Sequence, residues 1–278
     1  MRTHQPDRVR PKKSLGQHFL HDKNIAEKIV QSLIAPGGKE QVLEIGPGMG
    51  VLTQFLVQRN DLTVTVIEID RDSVAYLEKH YPGLSIISGD FLELDLREQF
   101  TGNYSIIGNF PYNISSQIFF NVLENRDRVW QVVGMVQKEV ADRIAAPHGN
   151  KTYGILSVLL QAFYTVHYLF KVPPGVFHPP PKVMSAVIRL ERNARKALPC
   201  NEGLFFRVVK QGFNNRRKTL RNALKNLILP AFQHLPPEAV TEFLKLTILD
   251  KRAEQLSVDE FIHLTQLIEQ NRGAANSI

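Results

Sequence analysis

Asn109-Phe110-Pro111-Tyr112 is the stretch whose residue types could do chemistry together. The Asn109 side-chain oxygen and a main-chain carbonyl can accept the two N–H groups of an exocyclic amine. On a purine such an amine is a poor nucleophile, because its lone pair is delocalised into the ring. Two acceptors favour a pyramidal nitrogen whose lone pair points outward. Pro111 stiffens the turn and leaves its carbonyl available. Tyr112 offers a face on which a purine can stack. The same four residues can also form an ordinary turn, so their setting has to decide.

That setting begins at Val42. The apolar run Val42–Ile45 reads as a buried parallel strand, and it passes into Gly46, Gly48 and Gly50 before a helical pattern over Val51–Arg59. Glycines at a strand-to-helix turn let a ligand press against bare backbone. Glu68 closes the next apolar run, 22 positions after Gly46. An acid there can accept hydrogen bonds from both hydroxyls of a ribose. Val51 stands where a dinucleotide fingerprint wants a third glycine. Glu44 beside Gly46 discourages a pyrophosphate and suits a cationic ligand. The unit reads as half of a doubly wound nucleoside-binding sheet.

Further strands are expected over Leu84–Asp90, Tyr104–Asn109 and Trp130–Val136, with helices over Arg71–His80 and Lys138–Ala146. Alternating strands and helices predict an α/β, Rossmann-like sheet, mainly parallel. Ligands in such sheets sit beyond the carboxyl ends of the strands, where Glu44, Gly46, Glu68, Asp90 and Asn109 all fall. Strands over Val166–Val172 and Val183–Leu190 have no helix between them, which predicts an antiparallel hairpin at one edge. A charged linker over Asn193–Gly203 divides the chain into residues 1–193 and an all-helical domain, 194–278. Its helices are expected over Glu202–Phe213, Arg216–Leu227, Pro237–Leu246 and Val258–Gln270, the last opened by the capping box Ser257-Val258-Asp259-Glu260. Asp22 is placed to cap a helix carrying Ile25, Ile29, Leu33 and Ile34 on one face.

The 278 residues carry a net charge of +7, which suits an anionic partner such as RNA or DNA. Arg2, Arg8, Arg10, Lys12 and Lys13 make the start a basic arm, either a solvated tail or a strand that tracks phosphates. One cysteine, Cys200, excludes an internal disulfide framework and fits a reducing cytoplasm. A secretory signal is not expected, and the longest apolar stretch, Ile155–Phe170, is too short and too interrupted to span a bilayer. There is no GxSxG elbow and no GxxxxGK phosphate loop. His18 and His21 have the spacing of a metal pair but no third ligand nearby, so no metal is expected.

The glycine turn and the acid after it resemble those of S-adenosylmethionine-dependent methyltransferases. Set beside that cofactor, the tetrapeptide has a definite use, since a sulfonium is an activated methyl donor that needs no metal. No strong base is needed either, because the methylated ammonium is very acidic. Positioning then carries most of the rate. Taken in order, Leu15–Leu20, Glu44–Gly48, Glu68–Arg71, Gly89–Phe91, Asn109–Ser115, Phe177–Val183 and Phe213–Arg221 resemble the small-subunit (16S) ribosomal RNA adenine dimethyltransferase family, from Leu15 to the last helix. The resemblance implies that His18, Leu20, Gly46, Glu68, Asp90 and Asn109 line the S-adenosylmethionine site, with Gly48 in the same turn. It implies that Asp90 takes the adenine amine, that Phe91 packs on that ring, and that Tyr112 and Phe177 sandwich the target base. It also implies a substrate: two adjacent adenosines in a hairpin loop near the 3′ end of 16S rRNA, in the immature small ribosomal subunit. The enzyme is expected to act as a monomer, away from membranes. Arg217, Arg221 and Lys225 recur every fourth residue on a predicted helix, and we expect this stripe to meet RNA phosphates.

Two positions depart from the commonest pattern of that family. His18 stands where Asn is frequent, and Phe110 where Leu, Ile or Val is usual. Phe110 is expected to pack beneath the motif as core. Competing readings are a large-subunit rRNA adenine methyltransferase of the antibiotic-resistance type, a DNA adenine methyltransferase, and a non-catalytic RNA-binding assembly factor. The Gly16–Leu20 start and the basic helical tail favour the small-subunit enzyme over the first. Intact Asn109 and Glu68 argue against the last.

Overall fold

The computed structural model describes residues 9–12, 15–35 and 37–272. Arg2, Arg8 and Lys13 of the basic arm lie outside them. The strands are β1 (Phe19–Leu20), β2 (Glu40–Ile45), β3 (Leu62–Glu68), β4 (Ser85–Ser88), β5 (Tyr104–Asn109), β6 (Val129–Gln137), β7 (Tyr164–Val172), β8 (Phe177–His178) and β9 (Ser185–Arg192). Seven of them form one sheet in the order β4-β3-β2-β5-β6-β9-β7. The first five are parallel, and β9 and β7 complete it as an antiparallel pair. β2 and β5 are neighbours, yet β3 leaves to one side and β6 to the other. Their carboxyl ends therefore flank the switch point at which such sheets bind ligands. β2 and β5 are nearly continuous apolar runs because both their faces are covered; Val42, Leu43, Ile106 and Ile107 are fully buried.

Local signals in the sequence explain most boundaries. The Asp22 side chain accepts from the Ile25 N–H at 3.1 Å and starts the helix Lys23–Gln31, which buries Ala26, Ile29 and Val30. The helix expected over Val51–Arg59 is shorter, Thr53–Leu56. Gly48 and Gly50 take φ of +55° and +79°, outside right-handed helix, and no side chain caps the next turn.

The chain divides into two compact units. One runs to Ala141 and includes Tyr164–Arg192; the other holds Asp142–Phe163 and the chain from Asn193 on. A single cut near 193 therefore misplaces the segment 142–163. Its helix Ile155–Phe163 is apolar almost all round, with Leu156–Leu160, Ala162 and Phe163 buried, and it packs with the helices Glu202–Asn214 and Val258–Gln270. In the second unit the Ser257–Glu260 box is formed in both directions, at 3.2 and 2.8 Å. The helix expected over Arg216–Leu227 is broken. Thr219 is extended, at φ −63° and ψ 155°, and the Leu220 N–H donates to the Lys251 carbonyl at 2.8 Å. Two short helices, Leu220–Ala223 and Lys225–Ala231, follow.

Phe110 is 1% exposed and lies over Gly108 and Gly134, register partners on β5 and β6. A Cβ on Gly134 would stand 2.5 Å from the Phe110 ring, and one on Gly108 would stand 3.0 Å from it. A phenyl ring fits here because both strands carry no side chain beneath it. Gly134→Ala should therefore cost on the order of 1–3 kcal/mol, and much of that should return when Phe110→Leu is added. Chemical denaturation of the two single variants and the double variant measures the coupling; strictly additive losses would contradict this packing.

Candidate active site

A cleft opens at the carboxyl ends of β2, β3 and β5, walled on one side by Leu15–Phe19. Asn109 ends β5. Its Nδ2 donates to the His18 carbonyl at 2.8 Å, which leaves Oδ1 as the uncommitted end of the amide. Pro111 was expected to offer its carbonyl, but that oxygen accepts from the Ile114 N–H at 3.2 Å and closes a turn. Among the described residues nothing donates to the Phe110 carbonyl, which makes it the open main-chain acceptor beside Asn109. The Tyr112 hydroxyl lies 2.5 Å from Ser185 Oγ on β9. Burial pushes the phenol's pKa up, and the Ser185 bond pulls the other way.

Glu68 is 4% exposed at the end of β3. One of its oxygens accepts from the Gly48 N–H at 3.0 Å and the other from the Asp70 N–H at 2.9 Å. Burial raises its pKa, and these two donors oppose the rise. An ionised carboxylate has about four lone-pair sites, so acceptor capacity remains for a ligand. Gly46 and Gly48 both have positive φ, and a Cβ on Gly48 would meet the Phe19 ring at 2.8 Å. Asp90 Oδ1 accepts from the Leu92 N–H at 2.9 Å, and Phe91 is buried in the cleft wall. His18, Gly46, Gly48, Glu68, Asp90, Phe91, Asn109 and Tyr112 thus meet around one cleft.

Leu20 and Phe177 do not line it. They face each other in the β1–β8 pair, and both are buried in the apolar cluster with Val30, Leu33 and Val187. Apolar burial holds the Phe177 ring in the core, outside the cleft lining that includes Tyr112. The ring beside Tyr112 is that of His18, with centroids 5.2 Å apart and planes at 29°. Leu20 borders a smaller neighbouring cavity with Glu44. Glu44 is buried, and its pKa is pushed up to about 8, against the hydrogen bond from Thr53 Oγ1 at 2.6 Å.

One group of residues has no signal in the sequence. Lys12 Nζ reaches Asp70 Oδ1 at 2.5 Å and Asp72 Oδ2 at 2.8 Å. Gln17 accepts from the Lys12 N–H at 2.8 Å and donates to Asp70 Oδ2 at 3.3 Å. Burial alone would raise the Asp70 pKa; Lys12, Gln17 and the Asp72 N–H together hold it below the usual range. The contact spans 58 positions, and no local pattern announces it.

The basic stripe does not form. Arg217 and Lys225 are exposed, Arg217 in the turn after the helix Glu202–Asn214 and Lys225 at the start of the helix Lys225–Ala231. Arg221 is half-buried and engaged within the protein, donating to the Leu244 carbonyl at 2.6 Å and pairing with Asp250 at 2.7 Å.

Glu68→Ala should weaken binding of a nucleoside ligand in this cleft by about 1.5–3 kcal/mol through loss of charge-assisted contacts. It should also lower the unfolding temperature, because the Gly48 and Asp70 N–H groups lose their acceptor. Titration calorimetry with S-adenosylmethionine and thermal unfolding check both effects; unchanged cofactor affinity would contradict the assignment.

Comparison with known proteins accords with this geometry. A family model described as ribosomal RNA adenine dimethylase matches residues 8–270. The chain is 55% identical over 264 residues to the ribosomal RNA small subunit methyltransferase A of Cytophaga hutchinsonii, covering 94% of this chain and 98% of that one. It is 54% identical to the protein of the same name from Parabacteroides distasonis, with coverages of 95% and 96%. The crystal structure of a dimethyladenosine transferase from Plasmodium falciparum matches with a TM-score of 0.78 at 26% identity, over 91% of this chain and 98% of that one. The 23S rRNA methyltransferase ErmE matches with a TM-score of 0.62 at 23% identity, over 89% and 99%, and shares the fold. Among the described residues no helix is long and apolar enough to cross a membrane. The chain belongs to the ribosomal RNA adenine dimethylase family, S-adenosylmethionine-dependent enzymes built on a Rossmann-like sheet with antiparallel edge strands.

Proposed function

We propose that this protein dimethylates the exocyclic amines of two adjacent adenosines in a hairpin loop near the 3′ end of 16S rRNA, within the immature small ribosomal subunit. It acts in the cytoplasm as a monomer. The observation that carries this reading is the Asn109 amide, held by the His18 carbonyl so that Oδ1 is left for a donor. The cleft suits S-adenosylmethionine on its own terms. It offers a buried carboxylate with open lone pairs at Glu68, a half-buried one at Asp90, and bare backbone at Gly46 and Gly48. When bound, this cofactor supplies a methyl group on a sulfonium. Glu68 then accepts from the ribose hydroxyls, Asp90 from the adenine amine, and Phe91 packs on the adenine ring.

On the substrate side, Tyr112 stacks the target base, and Asn109 Oδ1 and the Phe110 carbonyl accept its two N–H groups. The nitrogen lone pair is then free to face the methyl. After one transfer a single N–H remains, and one acceptor loses its partner. The second transfer depends more on space than on hydrogen bonding. Phe110 is core, so Phe110→Leu leaves dimethyladenosine as the end product.

The reaction is tested by incubating the enzyme with labelled cofactor and unmodified small subunits, then digesting the RNA and identifying the labelled nucleoside. Dimethyladenosine is expected at the two adjacent positions. Asn109→Ala should keep the fold and most cofactor affinity and lose transfer; near-normal turnover in that variant would contradict the role given to Asn109.

Of the three cations in the expected stripe, Arg217 and Lys225 remain candidates for RNA phosphates, and Arg221 has a structural role. Replacing Arg217 and Lys225 with Ala should flatten the salt dependence of RNA binding by up to about 0.7–0.9 log unit per lost contact. Arg221→Ala should lower stability instead. An unchanged slope in the double variant would return both residues to the solvated surface.

A further inference from the structure

His18 sits where three segments of the first unit meet. Its carbonyl accepts from Asn109 Nδ2 at 2.8 Å. Its Nδ1 lies 2.7 Å from the Pro179 carbonyl, which can only accept, so Nδ1 carries the proton. Its ring stacks on Tyr112, with centroids 5.2 Å apart and planes at 29°. Tyr112 is tethered at its far end as well, where its hydroxyl meets Ser185 Oγ at 2.5 Å. The phenol ring is thus held at its hydroxyl by β9 and across one face by an imidazole that is itself anchored. Phe177, the aromatic residue expected beside Tyr112, is 3% exposed in the core.

We propose that the His18 imidazole is a positioning residue for the target base: it backs Tyr112 and sets the other face of that ring for the adenine. The proposal rests on the reading of this cleft as an adenine-amine methyltransferase site. A stack covers one face of a ring and leaves the second open. A purine that lands on a ring already fixed in tilt orders less on binding than one that lands on a free ring. The base then reaches Asn109 at an angle set by the protein, and this angle matters most when the amine must meet the methyl in line. Asn at position 18 can donate to the Pro179 carbonyl but has no face to lay against Tyr112. Phe at 18 has the face and lacks the donor. The two substitutions therefore separate stacking from the hydrogen bond.

The experiment measures kcat and KM for both substrates on unmodified small subunits, with S-adenosylmethionine affinity by calorimetry and thermal unfolding for each variant. His18→Asn should lower kcat about five- to tenfold, by more than it changes cofactor affinity, and His18→Phe should lose clearly less kcat than His18→Asn. Four results would overturn the proposal: an unchanged kcat in His18→Asn, equal losses in both variants, a loss confined to cofactor affinity, or a rise in kcat. The last would mean that the imidazole occupies the base's own place. A wild type that forms no dimethyladenosine on the same subunits overturns the reading of the cleft and this proposal with it, whereas a variant effect of the wrong kind overturns the proposal alone.

Discussion

The hydrogen bond from Asn109 Nδ2 to the His18 carbonyl is the constraint on which the site depends. An amide has a donor end and an acceptor end, and rotation by half a turn exchanges them. With Nδ2 committed to His18, the acceptor is the end left for a ligand. The carbonyl that enforces this belongs to a short segment with little structure of its own. It is fixed by pairing: β1 lies against β8, and the His21 N–H donates to the Val176 carbonyl at 3.0 Å. On its other side Lys12 and Gln17 tie the segment to Asp70, two residues beyond Glu68. The presentation of Asn109 therefore depends on contacts with both the β3 end and the loop after β7.

Charge in the cleft follows the same logic. Two carboxyls, Glu44 and Glu68, are buried at adjacent strand ends. Burying an anion without partners is costly. Glu68 meets that cost with two main-chain donors supplied by the glycine turn and by the turn into the helix at Arg71. Glu44 has one hydroxyl donor and a pKa pushed up to about 8, so near neutral pH it is largely protonated. Asp70, with Lys12 and Gln17 on it, stays ionised. Three acids at the same end of the sheet are thus shifted differently, Glu44 and Glu68 upward by burial and Asp70 downward by the groups bonded to it.

The sheet was legible in the sequence because its signals are local. Buried parallel strands carry apolar runs, glycines mark the turn after β2, and Asp22 and Ser257 cap helices within three residues of themselves. The convergence of Glu68, Asp90 and Asn109 followed from topology alone, since ligands collect beyond parallel strand ends. Tertiary placement was not legible. The family resemblance implies that Phe177 stands opposite Tyr112, yet pairing with Leu20 draws it into the core. The helix expected through Thr219 fails because Lys251, 32 positions on, supplies an acceptor for the Leu220 N–H. The helix Ile155–Phe163 belongs with the C-terminal helices because its surface is apolar nearly all round, a property compatible with either unit. Phe110 is tolerated by two glycines on neighbouring strands, which no spacing within one strand reveals.

The account centres on two acceptors at the end of β5, Asn109 Oδ1 and the Phe110 carbonyl, that hold the amine of an adenosine stacked on Tyr112. A crystal structure of the enzyme with S-adenosylhomocysteine and an adenosine-bearing oligonucleotide of the 16S loop tests this most directly. The account predicts the adenine N6 within about 3 Å of both oxygens, with Asn109 Nδ2 still on the His18 carbonyl. An adenine N6 that contacts neither oxygen, or an Asn109 amide turned to present Nδ2 to the base, would contradict it.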